Sequence, residues 1–369
     1  MQDIKIDEKT TIHMYTPKEM YNKLNEYVIS QDDAKRSISI AVHNFYKRVF
    51  LNMTMKGVHL DKSNILISGN SGCGKTYIVK KLCEFIGVPS YIADSTAYSA
   101  SGYVGMDTSH MVTSVIEKAG GNLALASIGC LIIDEIDKIA GRGDSPNVSK
   151  GGVNTTDVQN SLLKIIEGGE IDLPTQYQNG RQNPQTPCFK FDTSSMMVIG
   201  CGAFSGIESI IKGRMNSRHI GFGSNDHYTD VNDYNIFKYA IPEDFKQYGL
   251  TPEFISRFAV LCGVNRLSVD DLADILTKPK NSIVYQYQLM FRADNIMLRF
   301  DDEAIKTIAY VAHGLGTGAR SLKTVMDNVL EDYTFDLCGE YSSKQVQDLM
   351  ITKKDVEDKL SERYGYYLK

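Results

Sequence analysis

No stretch of this 369-residue chain approaches the roughly 20 consecutive apolar residues that span a bilayer, so the sequence offers no transmembrane helix. It has no CxxC pair and no cluster of Cys and His at metal-ligand spacing. Seven cysteines without such a pattern read as reduced, intracellular thiols, and a structural zinc module is not expected. Long runs of like charge are missing too. The net charge of −5 is spread along the chain and gives no reason to expect nucleic acid as the main partner, although a local basic patch is compatible with it. Neither an internal repeat nor a low-complexity segment is found. The first residues, MQDIKIDEKTTIHMY, are polar and charged, unlike a signal peptide or a membrane anchor. The expected location is cytoplasmic.

What is present is ordinary globular material, 42% hydrophobic and 23% charged, over a length that suits two domains. Pro17 starts a helical run to about residue 49, within which Ser30 can cap a second helix carrying Ala34, Ile38, Ile40, Ala41 and Phe45 towards one side. Short apolar runs then alternate with helical patterns. Strands are predicted at Ile65–Ile67, Tyr91–Ala93, Cys130–Ile133 and Met196–Ile199. Helices are predicted after Lys75, around Met111–Ile116 and from about Asp157 to Glu167. This alternation implies an α/β fold with a parallel sheet covered by helices on both faces. Residues 141–156, 174–187 and 213–235 are polar, rich in Gly, Pro and Asn, and read as long loops. Beyond about residue 265 the pattern turns helical. Ile283, Val284, Tyr287 and Met290 mark one helix face, and a strand at 296–300 precedes helices near 302–312 and 319–334. The expected division is a large domain over 1–264 and a smaller, mainly helical α+β domain over 265–369.

Two motifs carry chemistry. In GNSGCGKT (Gly69, Asn70, Ser71, Gly72, Cys73, Gly74, Lys75 and Thr76) the glycines let backbone N–H groups turn inward on phosphate oxygens. Lys75 reaches the β- and γ-phosphates, the Thr76 hydroxyl ligates Mg²⁺, and the following helix adds its positive end. A glycine-rich turn that matches by chance is the plain alternative; the strand before it and the amphipathic helix after it speak against that. The second motif is the apolar strand Cys130–Ile133 ending in Asp134 and Glu135, which suits a Walker B element. There Asp134 orders the magnesium ion and Glu135 polarises the attacking water. Together they imply an NTPase using ATP and Mg²⁺; Asp137 and Lys138 read as structural or interfacial. Cys73 sits among the phosphate-binding residues, where oxidation would be expected to impair activity.

Further segments narrow the type: YVISQDDAK (27–35), SGYVGMD (101–107), LIIDEIDKIA (131–140), LLKIIEGG (162–169), IGFG (220–223), TPEFISRF (251–258) and GTGARSL (316–322). Through these, residues 16–338 resemble the AAA+ unfoldase family of ClpX, whose members work with a ClpP-type peptidase. The resemblance implies an AAA+ large domain followed by a small one, and a homohexameric ring that unfolds proteins and threads them through a central pore. It also assigns residues. Arg257 matches the arginine finger that reaches the neighbouring subunit's γ-phosphate, although alone it reads as a surface salt-bridge residue. Arg320 matches sensor 2, and Val28 and Ile29 match the segment that packs on adenine, although their pattern fits helix-flanking core equally well. Tyr103 and Val104 match a pore loop that grips an unfolded chain, and Val153 falls in the second pore loop. Ile220, Gly221 and Phe222 match the tripeptide that docks on the peptidase.

The sequence also departs from the family. No cysteine set matches its zinc-binding N-terminal domain, so none is expected, and no zinc with it. The basic pore-entrance motif reads Arg181-Gln182-Asn183, with two positive side chains lost, which puts recognition of tagged substrates in question. The sensor 1 stretch VIGCGAF (198–204) has Cys201 and no Asn, so that role is unassigned. Three alternatives stay open: a remodelling chaperone of the same fold without a peptidase, an ATPase loading nucleic-acid machinery, and a non-hydrolysing regulatory subunit.

Overall fold

A computed structural model describes residues 3–5, 11–57, 59–99, 106–141, 155–175, 177–178, 181–182, 187–217, 232–337, 346–365 and 367. They divide into two compact units. The first comprises residues 1–22, 32–69 and 75–265; the second comprises 23–31, 70–74 and 266–369.

The first unit is built on a five-stranded sheet. Its strands are β1 (Ile65–Ser68), β2 (Ser90–Asp94), β3 (Cys130–Asp134), β4 (Met197–Gly202) and β5 (Val260–Gly263). They lie in the order β5-β1-β4-β3-β2, every pair parallel. Parallel strands need crossover connections, and these cover both faces with helices, which is why the central strands are apolar throughout instead of alternating. All residues of β1 and β4 are buried, as are Cys130 to Ile133 of β3. Leu66, Leu131, Ile133 and Val198 share one core with Val115, Leu162, Ile166 and Phe254 from the surrounding helices. All five strands end at one edge, and in open α/β sheets that carboxyl edge is where ligands bind.

Two predicted faces are corrected in detail. Ile40 is 41% exposed within the helix Asp32–Thr54, because it stands about 200° around the helix from buried Ile38. Ser30 does not cap that helix. Its φ of 52° is left-handed instead of the extended conformation a capping residue adopts, and its hydroxyl is hydrogen-bonded to Asp271. Residues 213–217 of the loop predicted over 213–235 are helical instead, since a helix runs over Ile207–Ser217. The loop predicted over 174–187 is flanked by an antiparallel pair, Glu170–Pro174 with Cys188–Asp192.

The segment leading into β1 is anchored unusually. Lys62 Nζ donates to the carbonyls of Ile165 and Thr193, each at 3.0 Å, and Asn64 Nδ2 donates to those of Ile166 and Arg257, each at 2.9 Å. Ile165 and Ile166 belong to the last turn of α1 (Thr155–Glu167), whose carbonyls have no partner inside the helix. Crowding by protein around the Lys62 amine, and then the nearby Arg48, push its pKa from 10.5 to about 7. A lysine depressed in this way binds fewer protons folded than unfolded, so stability rises as pH climbs from about 7 towards 10.5. The slope is at most about 1.4 kcal/mol per pH unit. Denaturant titrations at pH 7 and 9 should show the wild type gaining stability relative to Lys62→Met; equal changes in both proteins would contradict this.

The second unit is mainly helical around one small sheet. Helices Val269–Thr277, Ile283–Ala293, Asp302–Gly314, Arg320–Leu337 and Lys353–Tyr364 surround the parallel pair Ile296–Phe300 and Gln347–Ile351. Ser268, Ser282, Asp301 and Thr352 each accept a backbone N–H in the first turn of a helix, so those starts are set by local sequence. Leu272, Leu298, Ile308, Leu322 and Ile351 meet in the core. Met290 is 55% exposed and its neighbour Phe291 is buried instead, which corrects the predicted face of that helix by one position.

Candidate active site

Within the first unit, Gly69, Lys75 and Thr76 of the phosphate-loop motif meet Asp134 at the carboxyl edge of the sheet. Lys75, only 8% exposed, donates from Nζ to the carbonyl of Gly69 at 2.6 Å, which folds the lysine back onto the residue that opens the motif. The Thr76 hydroxyl donates to Asp134 Oδ2 at 2.9 Å. A hydroxyl and a carboxylate so paired are hard oxygen ligands of the type Mg²⁺ takes, so the donor set fits that ion. The adjacent carboxylate is held by its backbone. Glu135 has φ 55° and ψ 30°, a left-handed conformation uncommon outside glycine that costs about 1–3 kcal/mol. Its N–H donates to Asp134 Oδ1 at 2.9 Å, and Ser95 Oγ donates to its carbonyl at 2.7 Å. Parallel pairing of Asp94 with Asp134 brings Ser95 there. Such strain persists only where the surroundings enforce it.

Two other residues near this edge take structural parts. Asp137 is buried and accepts the N–H of Ala203 at 3.0 Å, tying the turn after β3 to the end of β4. Cys201 is fully buried, and burial followed by the neighbouring Asp134 charge pushes its thiol well above the ordinary range. It is a neutral thiol at pH 7 and supplies neither the amide nor the charge that positions water.

Within the second unit, the middle of the phosphate loop is packed by residues 317–320. Gly72 has φ 74°, and a methyl group there would come within 2.0 Å of the Thr317 carbonyl, so no other residue fits. Ala319 N–H donates to the carbonyl of Gly72 at 3.0 Å. Arg320 Nη1 donates to Ser71 Oγ at 3.3 Å, and Arg266 Nε donates to Asn70 Oδ1 at 3.2 Å. An arginine opening a helix opposes the helix dipole, and the contact with Ser71 gives it a local reason to be there. Cys73 is 5% exposed with its sulfur 4.0 Å from the Ser71 carbonyl. Val28 is buried and Ile29 half-buried in the segment 23–31 of the same unit.

Arg257 closes the short helix Pro252–Ser256, and its guanidinium is paired with Glu167 at 2.7 Å. Arg181 and Gln182 form a short strand against Tyr177–Gln178. Tyr103, Val104, Val153, Asn183, Ile220, Gly221 and Phe222 lie outside the described residues. Among the described residues no group of three or more His, Cys, Asp or Glu could hold a metal ion, and no helix is long and apolar enough to cross a membrane. Lys62, Asn64, Ser95 and Glu167 escaped the sequence reading. The first three act through carbonyls, which leave no motif, whereas an acidic residue closing a helix was a signal available for Glu167.

Comparison with known proteins gives the family. The family described as AAA domain (Cdc48 subfamily) matches residues 60–261. The C-terminal, D2-small domain of ClpB protein matches residues 267–351. The "ATP-dependent Clp protease ATP-binding subunit ClpX" of Borrelia duttonii (strain Ly) is 41% identical over 342 residues, 92% of this chain and 78% of the relative. The protein of the same name from Treponema denticola is 38% identical over 340 residues, 92% of this chain and 80% of the relative. At that identity over that span, the chain belongs to the ClpX family of AAA+ ATPases.

Proposed function

We propose that the chain is an ATP-driven protein unfoldase that works as a homohexameric ring, with residues 1–264 as its large domain and 265–369 as its small one. Hydrolysis itself follows from the family. The hydrogen bond from Thr76 to Asp134 is the observation that supports the assigned roles most directly, because it joins the two halves of the nucleotide site. Lys75 and the loop amides bind the β- and γ-phosphates, and Thr76 with Asp134 would hold Mg²⁺. When bound with ATP, that ion draws negative charge off the phosphates. Glu135, fixed by its own backbone, orients the attacking water and accepts its proton. Arg257 reaches the nucleotide of the neighbouring subunit, and Arg320 senses its own through the loop at Ser71.

The mechanical output rests on Tyr103, Val104 and Val153, which grip an unfolded or tagged chain by apolar contact that tolerates any sequence. Ile220-Gly221-Phe222 docks a ClpP-type peptidase, in keeping with relatives that are ATP-binding subunits of a Clp protease. The location proposed is cytoplasmic. Loss of fluorescence from a folded, tagged reporter, measured with ATP, tests this reading. Tyr103→Ala should lower unfolding at least tenfold while ATPase activity stays within about twofold. Unchanged unfolding would remove the pore loop from the scheme. Deleting 220–222 should abolish degradation by an added ClpP-type peptidase and leave unfolding intact. Unfolding without degradation in the wild type would instead favour a chaperone that works alone.

A further inference from the structure

Glu167 is the last residue of α1, where a carboxylate faces the negative pole of the helix and a cation is the favoured charge. Arg257 accounts for its presence: Glu167 Oε1 lies 2.7 Å from Arg257 Nη2. The main chains of both segments are clamped by one residue. Asn64, 1% exposed, gives one hydrogen bond to Ile166 O and another to Arg257 O. Its Oδ1 is buried with no hydrogen-bond partner among the described residues, so the side chain is turned to serve its two donors at the expense of its acceptor.

The two attachments differ in kind. The backbone of Arg257 is held by a part-buried hydrogen bond from Asn64, a side chain only 1% exposed. Its guanidinium is held by a pair whose side chains are 47% and 41% exposed, and pairs this open to solvent are easily exchanged. The backbone is therefore fixed while the charged tip is free to leave.

We propose that Glu167 is a positioning residue, which stores the Arg257 guanidinium in the unassembled subunit and yields it when a neighbour presents bound nucleotide. This rests on the reading of Arg257 as a finger acting across the subunit interface. Storage has a thermodynamic signature. Breaking the ion pair opposes assembly, so a subunit without Glu167 assembles more readily, and does so only if Arg257 is present.

A double-mutant cycle on the full chain tests this. The chain concentration giving half-assembly in ATPγS is measured by sedimentation velocity for the wild type, Glu167→Gln, Arg257→Ala and the double variant. Glu167→Gln is expected to lower it about two- to fivefold, the range of an exposed ion pair, and to have no effect when Arg257 is already alanine. Glu167→Lys, which suits the helix end and repels Arg257, should shift it the same way. A shift that persists without Arg257 would make Glu167 merely structural, and no shift would equally overturn the storage role. The ATPase rate of Arg257→Ala separates the two ideas. Undiminished hydrolysis would overturn the finger itself, whereas lost hydrolysis beside a failed cycle would remove only Glu167.

Discussion

Glu135→Gln should bind ATP as the wild type does and hydrolyse it about 10²–10⁴-fold more slowly, the usual worth of a positioned general base. The substitution keeps the size of the side chain and removes only its charge and basicity. The groups that hold the phosphates are untouched, since Lys75 folds onto Gly69 and Thr76 onto Asp134 without help from the Glu135 side chain. The left-handed backbone is also retained, because it is held through the N–H and carbonyl of residue 135, which glutamine shares. Phosphate release and the binding of a fluorescent nucleotide measured on one preparation separate the two effects. Turnover within tenfold of wild type would show that another group activates water, and weakened binding would mean that the side chain has a structural part.

Arg257→Ala should cost about 10³–10⁵ in hydrolysis, as expected for a finger supplied from outside the phosphate site. Binding of ATP to the isolated subunit should not change, because there the guanidinium is paired with Glu167. A sharper outcome follows from sharing. In the proposed ring, with head-to-tail interfaces, each site would take Glu135 from one subunit and Arg257 from the next. Mixing the two inactive variants in equal amounts should therefore restore about a quarter of the sites, those where an Arg257→Ala subunit meets a Glu135→Gln neighbour in the right order. No recovery from mixed rings would place both residues in one subunit's site.

The parts of this molecule that were legible in its sequence are those where chemistry demands particular residue types in a row. The three inner strands were readable because burial on both faces forces continuous apolar runs such as Cys130 to Ile133. The phosphate loop was readable because Gly69, Gly74, Lys75 and Thr76 stand at a fixed spacing that phosphate binding demands. The edge strand Val260–Gly263 was missed, being short and only partly buried. The pair Gln347–Ile351 and the helix Lys353–Tyr364 went unassigned, since the strand alternates weakly and most of the helix faces solvent. Met290 and Ile40 show a subtler failure. Periodicity finds a helix more reliably than it finds which neighbour within one turn points inward. Asn64 was invisible for a different reason: its role is to satisfy main-chain carbonyls, and any carbonyl looks the same in sequence.

The interleaving of the two units has a consequence for how the protein is made. Residues 23–31 and 70–74 are synthesised early but belong with residues 266–369, which leave the ribosome about two hundred residues later. Until then Gly72 has no Thr317 to pack on and Ser71 has no Arg320. The nascent chain therefore carries the phosphate-binding motif well before the residues that pack its middle have been made.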